Sequence, residues 1–391
     1  MKQTLKQKKF ARERNAKRYN LSPYYSMNIL FVGEATSGFG GIETVLKKVT
    51  RFLEEDREAK NSYTLYFLCR DDRMDKTWLA GKRYVCYRSP IKISFLRRLS
   101  HASALARFIK QDQPDTVIAF DSPSCRIAAQ AIRRSKKTVP LISWMHYSLD
   151  HKKHSEQVLV ADHHLAISSG IKQQLIKRGV PSDRISVVFN PVTPQSITIP
   201  RPAKKAVFIY IGRLKFEGQK RLKDMLDAFS GLDGDWECHF IGDGSDANVC
   251  QSYAQQLGIT DHLHWHGWQE KPWEYVQQYI PAVTALLLTS SFEGFGMVLA
   301  EAMSYGIYCV SSDCPAGPAD IIKNGVNGQL YPTGSVDSLR NALQAIVEQD
   351  PMPSAAQIKS SIETFYDETY YKKFTINISL HHKNTPLDKS A

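Results

Sequence analysis

Short apolar runs separated by helical stretches recur along almost the whole chain, and this alternation limits the fold more than any other feature. Residues 29–32, 63–69, 116–120, 140–144, 164–167 and 185–189 read as buried strands, with helical patterns such as 171–178 between them. A second series opens at 206–212 and continues through strands at 236–241, 262–266, 283–288 and 308–311. Helices are expected from Lys220, over 247–257 and over 336–347. Apolar strands alternating with helices imply parallel sheets covered on both faces. A chain of 391 residues suits two such α/β cores. The polar, Pro-containing stretch from Asn190-Pro191-Val192 to Lys205 reads as the linker between them.

Charge is divided along the chain. Residues 1–26 carry a net +7, 27–200 a net +11 and 201–391 a net −6, within a total of +12. A basic front half and an acidic back half suggest an anionic partner for the front half alone. The seven cysteines are scattered and form no Cys-x2-Cys pair, so neither a zinc site nor a disulfide framework is implied, and a reducing compartment is expected. No apolar run approaches the roughly 20 residues that cross a bilayer. Residues 1–26 lack the apolar middle of a signal peptide, and they read as a basic, disordered extension ahead of a strand that begins abruptly at Met27.

The motif richest in chemistry is Ser290-Ser291-Phe292-Glu293-Gly294-Phe295-Gly296-Met297-Val298-Leu299-Ala300-Glu301. It follows an apolar strand and opens a helix at Met297, so Glu293 and the free amides of the turn sit where strand gives way to helix. Open α/β sheets bind ligands at that edge, and a helix N-terminus favours anions. Eight residues span about 2.2 helical turns, which places Glu301 deeper on nearly the same face as Glu293. One carboxylate can meet a sugar and the other a ribose diol. A helix-capping or solvated role for either glutamate is the plain alternative.

This stretch resembles the Glu-x7-Glu signature of the retaining GT-B glycosyltransferases, glycosyl transferases group 1 (family 4). The resemblance extends through Gly212-Arg213-Leu214, Ile241-Gly242-Asp243-Gly244, Gly306-Ile307-Tyr308-Cys309-Val310 and Asn324-Gly325-Val326-Asn327-Gly328. It implies two Rossmann-like domains facing a cleft: an acceptor-binding one over 27–195, a nucleotide-sugar-binding one over 206–355, and a helix over 360–375 returning to the first. By resemblance, Glu301 binds the ribose hydroxyls, and Glu293 with the amides around Phe295, Gly296, Met297 and Val298 holds the donor hexose. Arg213 and a lysine neutralise the diphosphate, a task suited to a fork of cationic donors. Lys220 is the natural choice for that lysine, with Lys215 and Arg221 as competitors, because Phe216-Glu217-Gly218-Gln219 lengthens the spacing beyond the family pattern. Gly267, in Trp265-His266-Gly267-Trp268, is placed near the base. Gly40 and Gly41 follow the first strand and allow close approach of a phosphate or sugar. His146 matches the family's active-site histidine.

Along roughly 27–375 the similarity is to family members acting in lipopolysaccharide core assembly. It is carried by Gly33-Glu34-Ala35, Ser37-Gly38-Phe39-Gly40-Gly41, Ser94-Phe95-Leu96-Arg97-Arg98 and Ser148-Leu149-Asp150-His151-Lys152-Lys153-His154. It implies transfer of galactose from UDP-galactose, with retention, to the first glucose of the outer core in an α-1,6 linkage. A UDP-glucose-dependent hexosyltransferase would share the same motifs. No Asp-x-Asp motif lies on a suitable loop, so no cofactor is expected and metal-independent transfer is. The mixed basic and apolar segment 91–110 fits either an anionic membrane surface or an ordinary surface helix. Its partners would be the UDP-sugar, the lipopolysaccharide core and the cytoplasmic face of the inner membrane. Nucleic acid is not expected, since no stacking platform interleaves aromatic and basic residues.

Overall fold

The computed structural model describes residues 26–35, 41–56 and 59–383. Gly40, the Ser37-Gly38-Phe39 run and the basic extension up to residue 25 lie outside the described residues. Contacts divide the chain into two compact units. Unit 1 comprises residues 1–167, 171–188 and 370–391, and unit 2 comprises 168–170 and 189–369.

Unit 1 holds a seven-stranded sheet built from β1 (Asn28–Glu34), β2 (Ser62–Cys69), β3 (Tyr84–Arg88), β4 (Thr116–Ala119), β5 (Leu141–Met145), β6 (His163–Ala166) and β7 (Ile185–Val187). The order is β3-β2-β1-β4-β5-β6-β7, and every pairing is parallel. The central strands are buried on both faces, which is why they read as unbroken apolar runs. The edge strand β3, Tyr-Val-Cys-Tyr-Arg, is only half-buried and lacks that signature.

Unit 2 holds six parallel strands: β8 (Ala206–Ile211), β9 (Trp236–Ile241), β10 (Leu263–Trp265), β11 (Ala285–Leu288), β12 (Tyr308–Ser312) and β13 (Gly328–Tyr331). Their order is β10-β9-β8-β11-β12-β13. Both sheets have the doubly wound, Rossmann-like topology, and together they make the GT-B fold.

Three segments differ from the sequence expectation. The helix expected from Lys220 begins at Leu222, because Arg221 adopts a left-handed conformation (φ 49°). The stretch taken as a linker is bonded along unit 2: Val192 donates to Phe365 O, Ile199 to Tyr305 O, and Lys359 Nζ to the carbonyls of Gln195 and Ile197. In place of one helix over 360–375 there are two, Ala355–Ser361 and Asp367–Lys383. Tyr366 between them is extended and bridges to Val192.

The second of these helices completes the core of unit 1. Phe374 is fully buried, 5.2 Å from the ring of Trp144 on β5 and 5.9 Å from Tyr370. All seven cysteines are free, and all but Cys86 are buried. Phe374→Ala is expected to destabilise unit 1 by about 3–5 kcal/mol, the usual cost of deleting a buried ring. Urea unfolding followed by Trp fluorescence would show this as a lowered midpoint.

Candidate functional site

In a doubly wound sheet the loops diverge where the strand order reverses, leaving room at the carboxyl edge for a ligand. In unit 2 this point lies between the neighbours β8 and β11. Arg213 follows β8 by two residues, and Glu293 lies in the turn after β11.

Lys220 Nζ meets Glu293 Oε1 at 2.6 Å, with both side chains only 13–14% exposed. Ser290, fully buried, donates from Oγ to the same carboxylate oxygen at 2.6 Å, and Thr289 Oγ1 donates to Lys220 O at 2.7 Å. The competitors for this position are engaged elsewhere. Lys215 bonds Ser245 Oγ at 2.5 Å and Asp246 at 3.3 Å, while Arg221 makes a two-pronged contact with Asp224. The insertion that clouded the sequence reading is what brings Lys220 round. Gln219 within it donates to Phe292 O and accepts from Arg213 Nη2 at 3.2 Å, and Ser291 donates from N and Oγ to the carbonyls of Gln219 and Gly218. Arg213 is further fixed by Tyr210, whose hydroxyl donates to Arg213 O.

The turn leading into the helix Met297–Ser304 depends on two glycines. Gly296 caps that helix at φ +86°, a conformation that penalises a Cβ. Gly317 at φ +103° lies so close to Phe295 that a Cβ would stand 2.2 Å from its carbonyl oxygen. The Phe295 ring is buried against Phe365 and Phe189, so only its backbone is available to a ligand. Met297 and Val298 form the half-buried first turn. One layer deeper, Glu301 Oε2 accepts from Trp273 Nε1 at 3.0 Å, and Trp273 stacks on Tyr305. Trp273 was not anticipated, because nothing in the sequence links it to a glutamate 28 positions away. Gly267, at φ +66° with open space where a Cβ would be, accepts from Gly242 N at 2.8 Å and ties the loop after β10 to the loop after β9.

In unit 1, Gly41 opens the helix Gly41–Glu55, again with open space around it. At the strand-order reversal between β1 and β4 stand two carboxylates to which no role was assigned from sequence, Glu34 and Asp121. Asp121 is committed to structure: its oxygens accept from Glu34 N at 2.6 Å and Ser124 N at 2.8 Å, capping the helix Ser122–Ser135. The run Asp121-Ser122-Pro123 directly after a strand is the cap signal that marks it. Partial burial and the neighbouring Asp121 charge raise the pKa of Glu34 against the pull of Lys152, Arg98 and Arg97. His146 follows β5, its ring edge-on to Trp144 at 4.3 Å, and its buried Nε2 has no hydrogen-bond partner in the structure. Burial holds its pKa down to about 3, so the imidazole is neutral and able to donate or accept one hydrogen bond.

Among the described residues, one group has metal-ligand spacing: Glu237, His239 and His264, on β9 and β10. Lys205 Nζ already neutralises Glu237 at 2.6 Å. These residues point from the strands themselves, whereas Arg213 and Glu293 gather beyond the strand ends.

Paired parallel-sheet units with a basic and carboxylate cluster at the carboxyl edge define a sugar-transferring GT-B enzyme, and the comparisons agree. The model of the glycosyl transferases group 1 matches residues 194–363, and that of Glycosyltransferase Family 4 matches 39–196. The chain belongs to this family. The lipopolysaccharide 1,6-galactosyltransferase of Salmonella typhimurium is 49% identical over 350 residues, covering 89% of this chain and 97% of that one. Its Escherichia coli counterpart is 50% identical over 350 residues, covering 89% and 96%. The apo structure of the lipopolysaccharide outer core galactosyltransferase WaaB superposes with a TM-score of 0.86 at 48% identity, covering 90% of this chain and 99% of that one. Anabaena HepE in complex with UDP, at 18% identity and a TM-score of 0.74 over 90% and 100% of the two chains, shares the fold alone.

A neutral, half-buried His146 is expected to show no titration between pH 8 and about 4 in ring-proton NMR. Because its pKa is depressed from 6.5, the unfolded chain binds the extra proton, and this group's contribution to stability is lost as pH falls below 6.5. A transition near 6.5 in the folded protein would mean that the ring is solvated.

Proposed function

We propose that the chain transfers galactose from UDP-galactose, with retention, to the first glucose of the lipopolysaccharide outer core through an α-1,6 linkage. The observation carrying this reading is near-full-length identity of about one half to two lipopolysaccharide 1,6-galactosyltransferases. Unit 2 is assigned the donor. Glu301, with one oxygen oriented by Trp273, takes the ribose hydroxyls. Glu293 and the amides of residues 295–298 take the hexose, and Gly267 lies at the base. Arg213 and Lys220 bind the diphosphate, Lys220 exchanging its Glu293 partner for phosphate oxygens.

Unit 1 is assigned the acceptor, with Gly40 and Gly41 approaching the donor phosphate or sugar. His146 supplies a neutral hydrogen-bonding group for the hexose. Asp121 is engaged through both oxygens, one capping the helix Ser122–Ser135 and the other accepting from Glu34 N, which supports attack from the face that the leaving group vacates over a carboxylate nucleophile. The bond from the anomeric carbon to the β-phosphate oxygen breaks as the acceptor oxygen bonds that carbon. The acceptor's proton passes to the departing phosphate. Catalysis is then positioning and charge stabilisation, with Arg213 and Lys220 supplying positive charge and no metal ion required.

Two measurements test this. UDP release is expected with UDP-galactose and acceptor truncated after its first glucose, undiminished by EDTA; turnover with UDP-glucose alone would reassign the donor, and loss in EDTA would overturn metal independence. Arg213→Ala, Glu293→Ala and Glu301→Ala should each lower kcat/KM by about 10²–10³-fold with unchanged melting curves. Near-normal turnover in two of the three would reject the site assignment.

We further assign the protein to the cytoplasmic face of the inner membrane. No helix among the described residues is long and apolar enough to cross a membrane. The helix Ser94–Asp112 nevertheless starts with Ile93, Phe95 and Leu96 exposed at 65%, 68% and 42%, beside Arg97 and Arg98. Such a basic, apolar knuckle suits an anionic bilayer surface. Phe95→Ser combined with Leu96→Ser should reduce co-sedimentation with phosphatidylglycerol vesicles several-fold, and equal sedimentation of the two proteins would remove the assignment.

A further inference from the structure

A basic cavity in unit 1 has no part in the reaction proposed above, and it shares only Arg97 with the knuckle assigned to the membrane surface. It encloses about 620 Å³ and is lined by Arg70, Arg88, Ser89, Lys92 and Arg97. Its position follows from the sheet. β2 and β3 pair in parallel with Cys69 opposite Arg88, so Arg70 and Arg88 emerge side by side at the carboxyl edge. The loop after β3 folds over them: Ser89 Oγ accepts from Ile91 N at 3.2 Å, and Arg97 Nη1 donates to Lys92 O at 2.8 Å. Lys92 and the first turn of the helix Ser94–Asp112 close the far side.

Four cations therefore converge on one concavity. Arg88 is ion-paired with Asp72. Among the described residues Arg70, Lys92 and Arg97 make no carboxylate contact at salt-bridge distance, although Arg97 lies close enough to Glu34, and Arg70 to Asp71, to exert a downward pull on those carboxyl pKa values. Like charges repel, and holding them together needs an anion or a reason to tolerate the cost. Guanidinium groups bind phosphoryl oxygens in the same two-pronged geometry that they use for carboxylates. The volume exceeds what a phosphate ion fills and is in the range of small-molecule sites.

We infer that this cavity is a subsite for a phosphorylated sugar of the glycan acceptor, bound at the outer end of the same carboxyl edge that carries Glu34 and Asp121. The inference rests on the reading of unit 1 as the acceptor unit. It adds a charged anchor away from the reacting hydroxyl, which raises acceptor affinity without touching the chemistry.

The test is direct binding in the absence of donor, by calorimetry, with lipid-free core oligosaccharide in its phosphorylated form and after phosphatase treatment. The phosphorylated form is expected to bind at least about tenfold more tightly. Arg70→Gln combined with Lys92→Gln, both exposed positions, should abolish that difference while leaving the melting temperature and UDP-sugar binding unchanged. Equal affinity of the wild type for the two oligosaccharides would overturn the inference, as would discrimination retained by the double variant. Charge discrimination that appears only with phosphatidylglycerol vesicles would also overturn it, by assigning the cavity to lipid headgroups. Failure of galactose transfer would strike at the proposed reaction and leave this binding difference standing as measured.

Discussion

Parallel pairing of all thirteen strands among the described residues is the constraint from which the remaining structure follows. A parallel pair cannot be joined by a tight turn, so each connection must cross a sheet face, usually as a helix, and return to the opposite edge. Every strand then delivers its following loop to the same side. Arg213 after β8, Glu293 after β11, Asp121 after β4, His146 after β5 and Arg70 after β2 all lie on the carboxyl edge of their own sheet for this reason. The chemistry is gathered by topology first and refined by local contacts second.

Those local contacts are concentrated where a basic side chain is handed to a carboxylate. Lys220 and Glu293 stand 73 positions apart, yet Ser290, Thr289, Gln219 and Ser291 together fix both ends of the pair. Most of these bonds run between the loops after β8 and β11, so the ion pair and the loop conformations support each other. A charge pair so little exposed keeps its geometry better than a solvent-screened one. Gly317 acts from the opposite side, leaving room for Phe295 O and so setting the path of the turn.

The central strands were legible because burial on both faces leaves continuous apolar runs, as in Phe31–Val32 or Leu286–Leu288. The edge strands β3 and β13 were not, since they are only partly buried and polar residues interrupt their apolar runs. The break at Tyr366 carries no Gly or Pro to announce it; it is imposed by pairing with Val192, far away in sequence. Within the site, the Glu-Gly-Phe-Gly turn and its helix could be read directly, because spacing and turn chemistry are local. Which of Lys215, Lys220 and Arg221 pairs with Glu293 could not be, since it turns on which acids lie nearby in space. Trp273 escaped for the same reason. The basic cavity escaped because its residues come from two strands and a loop that no periodicity groups together.

The discontinuity of unit 1 bears on how the protein is made. Its sheet is complete by Val187, but the Trp144 ring packs on Phe374 of the last helix, where Tyr370 and Ile378 are also fully buried. Unit 2 is an almost continuous segment and has all its strands before that helix is translated. The last residues that unit 1 needs are therefore made after every strand of unit 2. Unit 1 draws on both ends of the chain, and no segment that stops before Tyr370 contains it whole.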